Sequence, residues 1–300
     1  MPAPLLMLAA TFLFAVMALC VKLASARYSA TEIVMYRGLV GVAVILALAR
    51  WRRVPLRTPV PLMHLWRGLL GVCALSLWFV AIASLPLATA MTLNYMSALW
   101  MALFLLGGAL WLGGKSVDPR LLGAVLVGFV GVALVLQPSF QQNQWPGALA
   151  GLGSGLLAAM AYMQVTALGR AGEPEVRVVF YFSLASVAAG AVLSQATGTA
   201  WRFSNHSLPG ALALLGVGVS ATLGQVALTA AYGRGKMLVN ASLNYMGIAF
   251  GAFLGWLVFD ERPGWWAALG IGLIVAAGLV ATLLRSRSAA PRDLQGETHE

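Results

Sequence analysis

The tetrapeptide Leu93-Asn94-Tyr95-Met96 returns as Leu243-Asn244-Tyr245-Met246 in the second half of a 300-residue chain. Each copy sets a carboxamide beside a phenol within an apolar run. An amide both donates and accepts, and a tyrosine joins a flat ring to one polar tip. Such groups orient a small organic molecule without reacting with it, so Asn94, Tyr95, Asn244 and Tyr245 are the first candidates for a binding site. The same groups could instead join helices by hydrogen bonds, and Asn244 shares a helix face with Gly247, Gly251 and Gly255, a stripe suited to close packing. Charged residues in apolar surroundings form the second set. Arg37 lies beyond Glu32 by about 7.5 Å of helix, at about 1.5 Å per residue, and Lys22 stands at the end of the first apolar run. Together they would make the outer half of a cavity positive and draw in a carboxylate. The competing roles are an ion pair with Glu32 or a side chain that snorkels to the interface. Glu32 also completes the S-x-x-E pattern of Ser29-Ala30-Thr31-Glu32, a capping box. Trp78, Gln164, Tyr181, Gln225 and Tyr232 are further candidates, as the aromatic and amide walls of a pocket, with ordinary helix packing as the alternative.

None of these groups is set out for catalysis. The three histidines, His64, His206 and His299, form no H-E-x-x-H, and no G-x-S-x-G elbow occurs. Gly151-x-Gly153-x-Gly155 imitates a phosphate loop but follows no strand; with Gly147 it reads as helix packing. Cys20 and Cys73 have no His or carboxylate nearby and read as small buried apolar residues. No catalytic residue, metal or cofactor is expected. Isolated polar residues do not line a continuous pore, which argues against a channel.

The elements that must hold these residues are membrane helices. The chain is 60% hydrophobic and 9% charged, where soluble domains carry roughly 25% charged residues. Long apolar runs without alternation exclude a β-barrel. Charges, prolines and polar clusters divide the chain into ten segments of spanning length: 4–24, 31–49, 63–84, 88–112, 119–137, 146–168, 175–195, 208–231, 237–259 and 264–284. The first resembles a leader, with Ala24-Ser25-Ala26 after an apolar core, but no basic residue precedes it, so it is read as a helix. The loop from Ala196 to Ser207 carries Trp201, Arg202 and His206, and Trp145, Trp265 and Trp266 suit an interfacial belt.

Basic residues set the orientation. A cytoplasmic N-terminus puts Arg50, Arg52, Arg53, Arg57, Arg67, Lys115, Arg120, Arg170, Arg177, Arg234, Lys236, Arg285, Arg287 and Arg292 on the inner side, against Arg27, Arg202 and Arg262 on the outer. That bias accounts for the net charge of +10 without nucleic acid and turns basic loops towards anionic lipid.

The repeat extends beyond the tetrapeptide. Val34-Met35-Tyr36-Arg37 corresponds to Val179-Phe180-Tyr181-Phe182, and Gly123 and Gly131 correspond to Gly270 and Gly278. The expected organisation is two five-helix halves, 1–140 and 141–284, then a disordered cytoplasmic tail, 285–300. Five is odd, so the second half enters the membrane from the opposite side. Such an inverted repeat can open a midplane site to one side and then to the other.

The chain resembles the EamA-type transporters of the drug/metabolite transporter superfamily. The resemblance rests on Lys22, Glu32 with Arg37, Leu85-Pro86-Leu87-Ala88-Thr89-Ala90, Gly128-Phe129-Val130-Gly131-Val132 and Leu257-Val258-Phe259-Asp260-Glu261-Arg262. The chain departs from the pattern at Ser97-Ala98, where many members have a Pro, and at Gly113-Gly114-Lys115, where many have a Glu. The resemblance implies a bacterial inner-membrane protein of ten helices in two inverted repeats that moves small organic metabolites or drugs. The expected function is thus secondary transport of amino-acid-like or carboxylate-bearing solutes, by exchange or facilitated diffusion, in a monomer or homodimer. The alternatives are a proton-coupled exporter of cationic drugs and, from another class, an intramembrane lipid-modifying enzyme.

Overall fold

The computed structural model describes residues 2–97, 99–101, 144–196, 207–235 and 243–288, together with Asn240 and isolated positions between 103 and 134; the side chains of 278 and 281–288 are outside the description. The described residues form helices joined by short turns, with no strand among them. In chain order these are α1 (Ala3–Ala24), α2 (Ala30–Arg52), α3 (Pro61–Ser84), α4 (Leu87–Tyr95), α5 (Trp145–Arg170), α6 (Glu175–Ala196), α7 (Leu208–Arg234), α8 (Met246–Phe259) and α9 (Trp265–Ser288). Six of them, α1, α2, α3, α5, α6 and α7, are long and apolar enough to cross a membrane, and α8 and α9 contribute shorter apolar stretches. The protein is a multi-pass membrane protein.

Local chemistry explains where the helices begin. Proline, whose missing N–H costs nothing in a first turn, opens α1, α3, α5 and α7. Ser207 caps α7 through Gly210 N. At α2 the capping box is complete: Ser29 Oγ accepts from Glu32 N, and Ser29 N donates to Glu32 Oε2 at 2.8 Å.

Segments one, two, three, six, seven and eight coincide with long helices to within a few residues. Segments four and nine, expected as continuous runs, are each interrupted at the repeated tetrapeptide. The interruption falls at Met96 after α4 and at Tyr245 before α8, where Ile248 N bonds to Tyr245 O, three residues back. Segment five lies largely outside the described residues, as do Trp201, Arg202 and His206. Helix α9 runs on to Ser288, into the expected tail, and the rest of that tail is outside the description.

The densest packing pairs α1 with α7, α2 with α6, and α3 with α5; α1 also meets α8, α4 meets α5, and α4 meets α8. Glycines permit the closest approaches. A Cβ at Gly190 would lie 2.7–2.8 Å from Met35 Cβ, Cα and N, and one at Gly131 would lie 2.7 Å from the carbonyl oxygen of Gly270. The Gly247, Gly251 and Gly255 stripe of α8 receives Tyr95, Met91 and Leu87 of α4 in that order, and Gly147, Gly151 and Gly155 of α5 receive Ser84, Leu93 and the backbone at Leu93–Asn94. The large core side chains gather where these helices converge: Met17, Phe79, Met91, Leu93, Tyr95 and Tyr232. One expectation is corrected here. Cys73 is exposed and Cys20 only half-buried, because in lipid the outward face of a helix must also be apolar. Trp145, Trp265 and Trp266 are exposed at the starts of α5 and α9.

Candidate functional site

Helix α3 turns Arg67, Gly71, Ala74, Leu75 and Trp78 inward, the i, i+4, i+7, i+8, i+11 spacing of one helix face. They line a central cavity of about 50 Å³, small beside the roughly 300–1,000 Å³ of open small-molecule sites. Helix α1 contributes Phe14 and Met17, α2 Arg37, α4 Asn94 and Tyr95, α5 Ala158, Ala161 and Tyr162, α6 Phe182, and α7 Gln225. Every helix from α1 to α7 thus supplies part of the wall, which puts the cavity at the centre of the bundle.

One end is doubly cationic. Arg37 is 4% exposed and Arg67 3%. Arg37 starts near one end of α2 and Arg67 near the opposite end of the bundle, yet their guanidinium carbons lie 4.7 Å and 4.1 Å from the centre of the same Phe182 ring. The separation of the two charges is therefore at most the sum of those distances, and they repel. A cation over an aromatic face gains from the ring quadrupole, but that is small beside the several kcal/mol lost when an ion leaves water. Arg37 Nη1 donates to Ser186 Oγ at 3.3 Å. Arg37 Nε and Arg67 Nε and Nη1 are buried without a hydrogen-bond partner. No carboxylate pairs with either arginine among the described residues.

The other end is neutral, aromatic and rich in unspent polar groups. Asn94 Nδ2 donates to Ser154 Oγ. The Trp78 and Tyr95 rings stand 6.4 Å apart, and Tyr162 stacks on Tyr232 at 5.3 Å with 18° between planes. The hydroxyls of Tyr95, Tyr232 and Tyr245, the indole nitrogen of Trp78 and Nε2 of Gln225 are buried without partners. Asn244 lies beside the Tyr162 hydroxyl, but neither of its amide atoms makes a hydrogen bond of good geometry. In an apolar interior such groups cost free energy until something satisfies them.

Of the residues singled out in the sequence, Arg37, Trp78, Asn94, Tyr95 and Gln225 meet in this cavity. Asn244, Tyr245 and Tyr232 are buried outside its lining. Gln164, half-buried on α5, is not part of the wall. Tyr181 is turned elsewhere: its hydroxyl donates to Leu56 O at 3.1 Å and its ring lies 4.5 Å from that of His64. Arg67, which charge placement alone assigns to an inner loop, is buried two turns into α3. The cavity-facing period running from Arg67 to Trp78 was the signal in the sequence. Tyr162 and Phe182 carried no such signal.

Lys22 and Glu32 do not charge the cavity. Glu32 is taken up by its capping box. Lys22 forms an ion pair with Glu261 and donates to Leu85 O at 3.0 Å, with its nitrogen 5.1 Å from the Phe259 ring. Glu261 Oε2 accepts from Leu87 N at 2.7 Å. One carboxylate thereby ties the end of α1 to the α3–α4 turn and to the α8–α9 connection. A second cluster ties the opposite end: Glu173, between α5 and α6, accepts from His64 Nε2 at 2.9 Å, Arg177 Nη1 at 3.0 Å and Thr58 Oγ1 at 3.2 Å. No cluster of metal-ligating side chains occurs among the described residues.

A model of the EamA-like transporter family matches the chain twice, over residues 1–137 and 145–283. The chain is 34% identical to the pseudopaline exporter CntI of Pseudomonas aeruginosa over 91% of its own length and 93% of that protein's. It is 29% identical to a riboflavin transporter of Rhizobium johnstonii, over 80% of this chain and 77% of that one. In fold it is similar to a protein of known crystal structure, with a TM-score of 0.68 and 22% identity over 96% of this chain and 99% of that one.

Proposed function

Because this chain belongs to the EamA-like transporter family, we propose that it is a secondary transporter that carries small carboxylate-bearing or amino-acid-like metabolites across the bacterial inner membrane. The observation that carries this reading is a central cavity holding two buried arginines that no carboxylate neutralises among the described residues. An anionic group on the cargo would supply the missing partner. The same pair disfavours the alternative of a cationic drug as cargo.

Alternating access between two inverted halves, 1–140 and 141–284, is the mechanism we infer, in a bundle of ten helices with both termini cytoplasmic. Exchanging α1 for α5, α3 for α7, and α4 for α8 turns the α1–α7 contact into α5–α3 and the α1–α8 contact into α5–α4. Both counterparts are present, and this supports an internal two-fold relation. Ties at both ends suit an occluded state, with the site residues Arg37, Trp78, Asn94, Tyr95 and Gln225 around the cargo and Asn244 and Tyr245 behind them. The cycle needs no residue to react, and exchange or facilitated diffusion suffices.

The test is transport by the purified protein in liposomes, with labelled carboxylates, amino acids, nucleosides and cationic drugs, and with pseudopaline and riboflavin, for which the relatives are named. Uptake of carboxylate-bearing solutes above that of empty liposomes is expected, accelerated by the same solute inside. If no solute crosses faster than through bare lipid while a lipid is chemically altered, the reading fails.

A further inference from the structure

We infer that the cavity takes a solute with two negative charges held at the cavity's cationic end, and that Arg67, with Gly71 as its positioning residue, makes the distinction between one charge and two. This rests on the transporter reading above and narrows its substrate class.

The charge count comes from the site itself. Two guanidiniums reach one Phe182 ring from opposite ends of the bundle, and three of their nitrogens have no partner although both residues are nine-tenths buried or more. A single carboxylate with a neutral body would satisfy one arginine and leave the other buried and unpaired, the costly arrangement for an ion in a low dielectric. A zwitterionic amino acid would add a third cation. Two carboxylates, or one doubly charged phosphate monoester, would cancel both charges and meet the free N–H groups with geometry that guanidinium recognises well. The rest of the molecule would face Trp78, Tyr95, Tyr162 and Gln225, with unspent donors on three of them. Ring stacking and hydroxyl or amide hydrogen bonds there suit a body that is flat or polar but uncharged.

Gly71 enters by what it lacks. Arg67 runs forward along α3, and a Cβ at Gly71 would collide with Arg67 Nη1 and lie 2.7 Å from Phe182 Cε2. Only a glycine one turn on leaves the guanidinium its seat against the ring. A methyl group there would force the Arg67 guanidinium off its present seat while both positive charges stayed in the protein.

The experiment uses the full-length protein, purified for ligand-induced thermal stabilisation and reconstituted for transport. The probes are propionate, alanine, succinate and glycerol 3-phosphate. Succinate, glycerol 3-phosphate or both should bind at least about ten-fold more tightly than propionate or alanine, the equivalent of one charge-assisted hydrogen bond. The succinate and phosphate arms tell a dicarboxylate site from a phosphate site. Arg67→Gln should shrink that preference to about two-fold, and Arg67→Lys should keep part of it. Gly71→Ala should match Arg67→Gln in selectivity, which a purely structural defect would not do because it would weaken all four probes alike. Equal binding of propionate and succinate by the unaltered protein would overturn the inference while leaving carboxylate transport standing. Stabilisation by the dianions without transport of any solute would sustain the inference and overturn the transporter reading. If a variant fails to fold, the four-probe comparison on the unaltered protein still decides.

Discussion

Replacing Glu261 by Gln removes one charge from the Lys22 latch and little else. The glutamine keeps the shape and an acceptor for Leu87 N, now 2.7 Å away, but Lys22 loses its counter-ion and keeps only the Leu85 carbonyl at 3.0 Å and the Phe259 ring. A hydrogen bond to a charged group contributes about 1.5–3 kcal/mol, and a fully exposed ion pair about 0–1 kcal/mol. The two side chains are 18% and 21% exposed, so the pair belongs in the lower part of the first range, at about 2 kcal/mol. If the latch holds only the state closed on this side, its loss shifts the closed-to-open ratio by roughly 30-fold. The assay is labelling of a cavity cysteine, Leu75→Cys in a Cys20→Ser, Cys73→Ser background, by an impermeant maleimide applied from the side the latch closes. Labelling should speed up by about that factor. Lys22→Met and the double variant complete a cycle whose coupling should approach 2 kcal/mol. A coupling below about 0.5 kcal/mol, the scatter of independent sites, would refute the latch. So would acceleration from the opposite face.

Three further outcomes are expected. Arg37→Ala should weaken transport of anionic and zwitterionic solutes most, by about ten-fold or more in KM, and equal KM values in the liposome assay would remove Arg37 from the site. Gly155→Ala would place a methyl 2.6 Å from Leu93 O, a backbone atom that cannot swing aside; a cost of about 1–3 kcal/mol should appear as a lower melting temperature in detergent, whereas Gly272→Ala, with nothing within 4 Å, should not melt lower. Glu173→Ala strands buried His64 and half-buried Arg177 and should cost about 3–5 kcal/mol, read by chemical denaturation in micelles; a loss under about 1 kcal/mol would show the cluster to be solvated.

Much of the fold was legible because lipid imposes a simple code. Runs of apolar residues bounded by proline and charge gave α1, α2, α3, α5, α6 and α7 nearly to the residue, and Ser29-x-x-Glu32 gave the cap of α2. The break at each Asn-Tyr-Met copy was not legible, since hydropathy is blind to a change of one hydrogen bond within an apolar run. The candidate site was read in part. Asn94, Tyr95, Trp78, Gln225 and Arg37 stand out as polar or aromatic groups in apolar segments. Arg67 was missed because a basic residue near a span end looks like a topology marker, and only its register with Gly71 and Trp78 separates it from one. Lys22 misled for the converse reason: its partner Glu261 lies far away in sequence, and no local pattern announces a pairing across halves.

If the cargo is a dianion, the uncompensated arginine pair makes the empty and loaded proteins electrically different. With a dianion between Arg37 and Arg67 the centre of the bundle is neutral, and the transmembrane voltage has little to act on there. Without cargo two positive charges remain in the field, and a unit charge carried through all of it changes energy by about 2.3 kcal/mol per 100 mV. The voltage would then govern the return of the empty carrier more than the passage of the loaded one. A cell could in this way favour one-for-one exchange over net flow with no coupling ion.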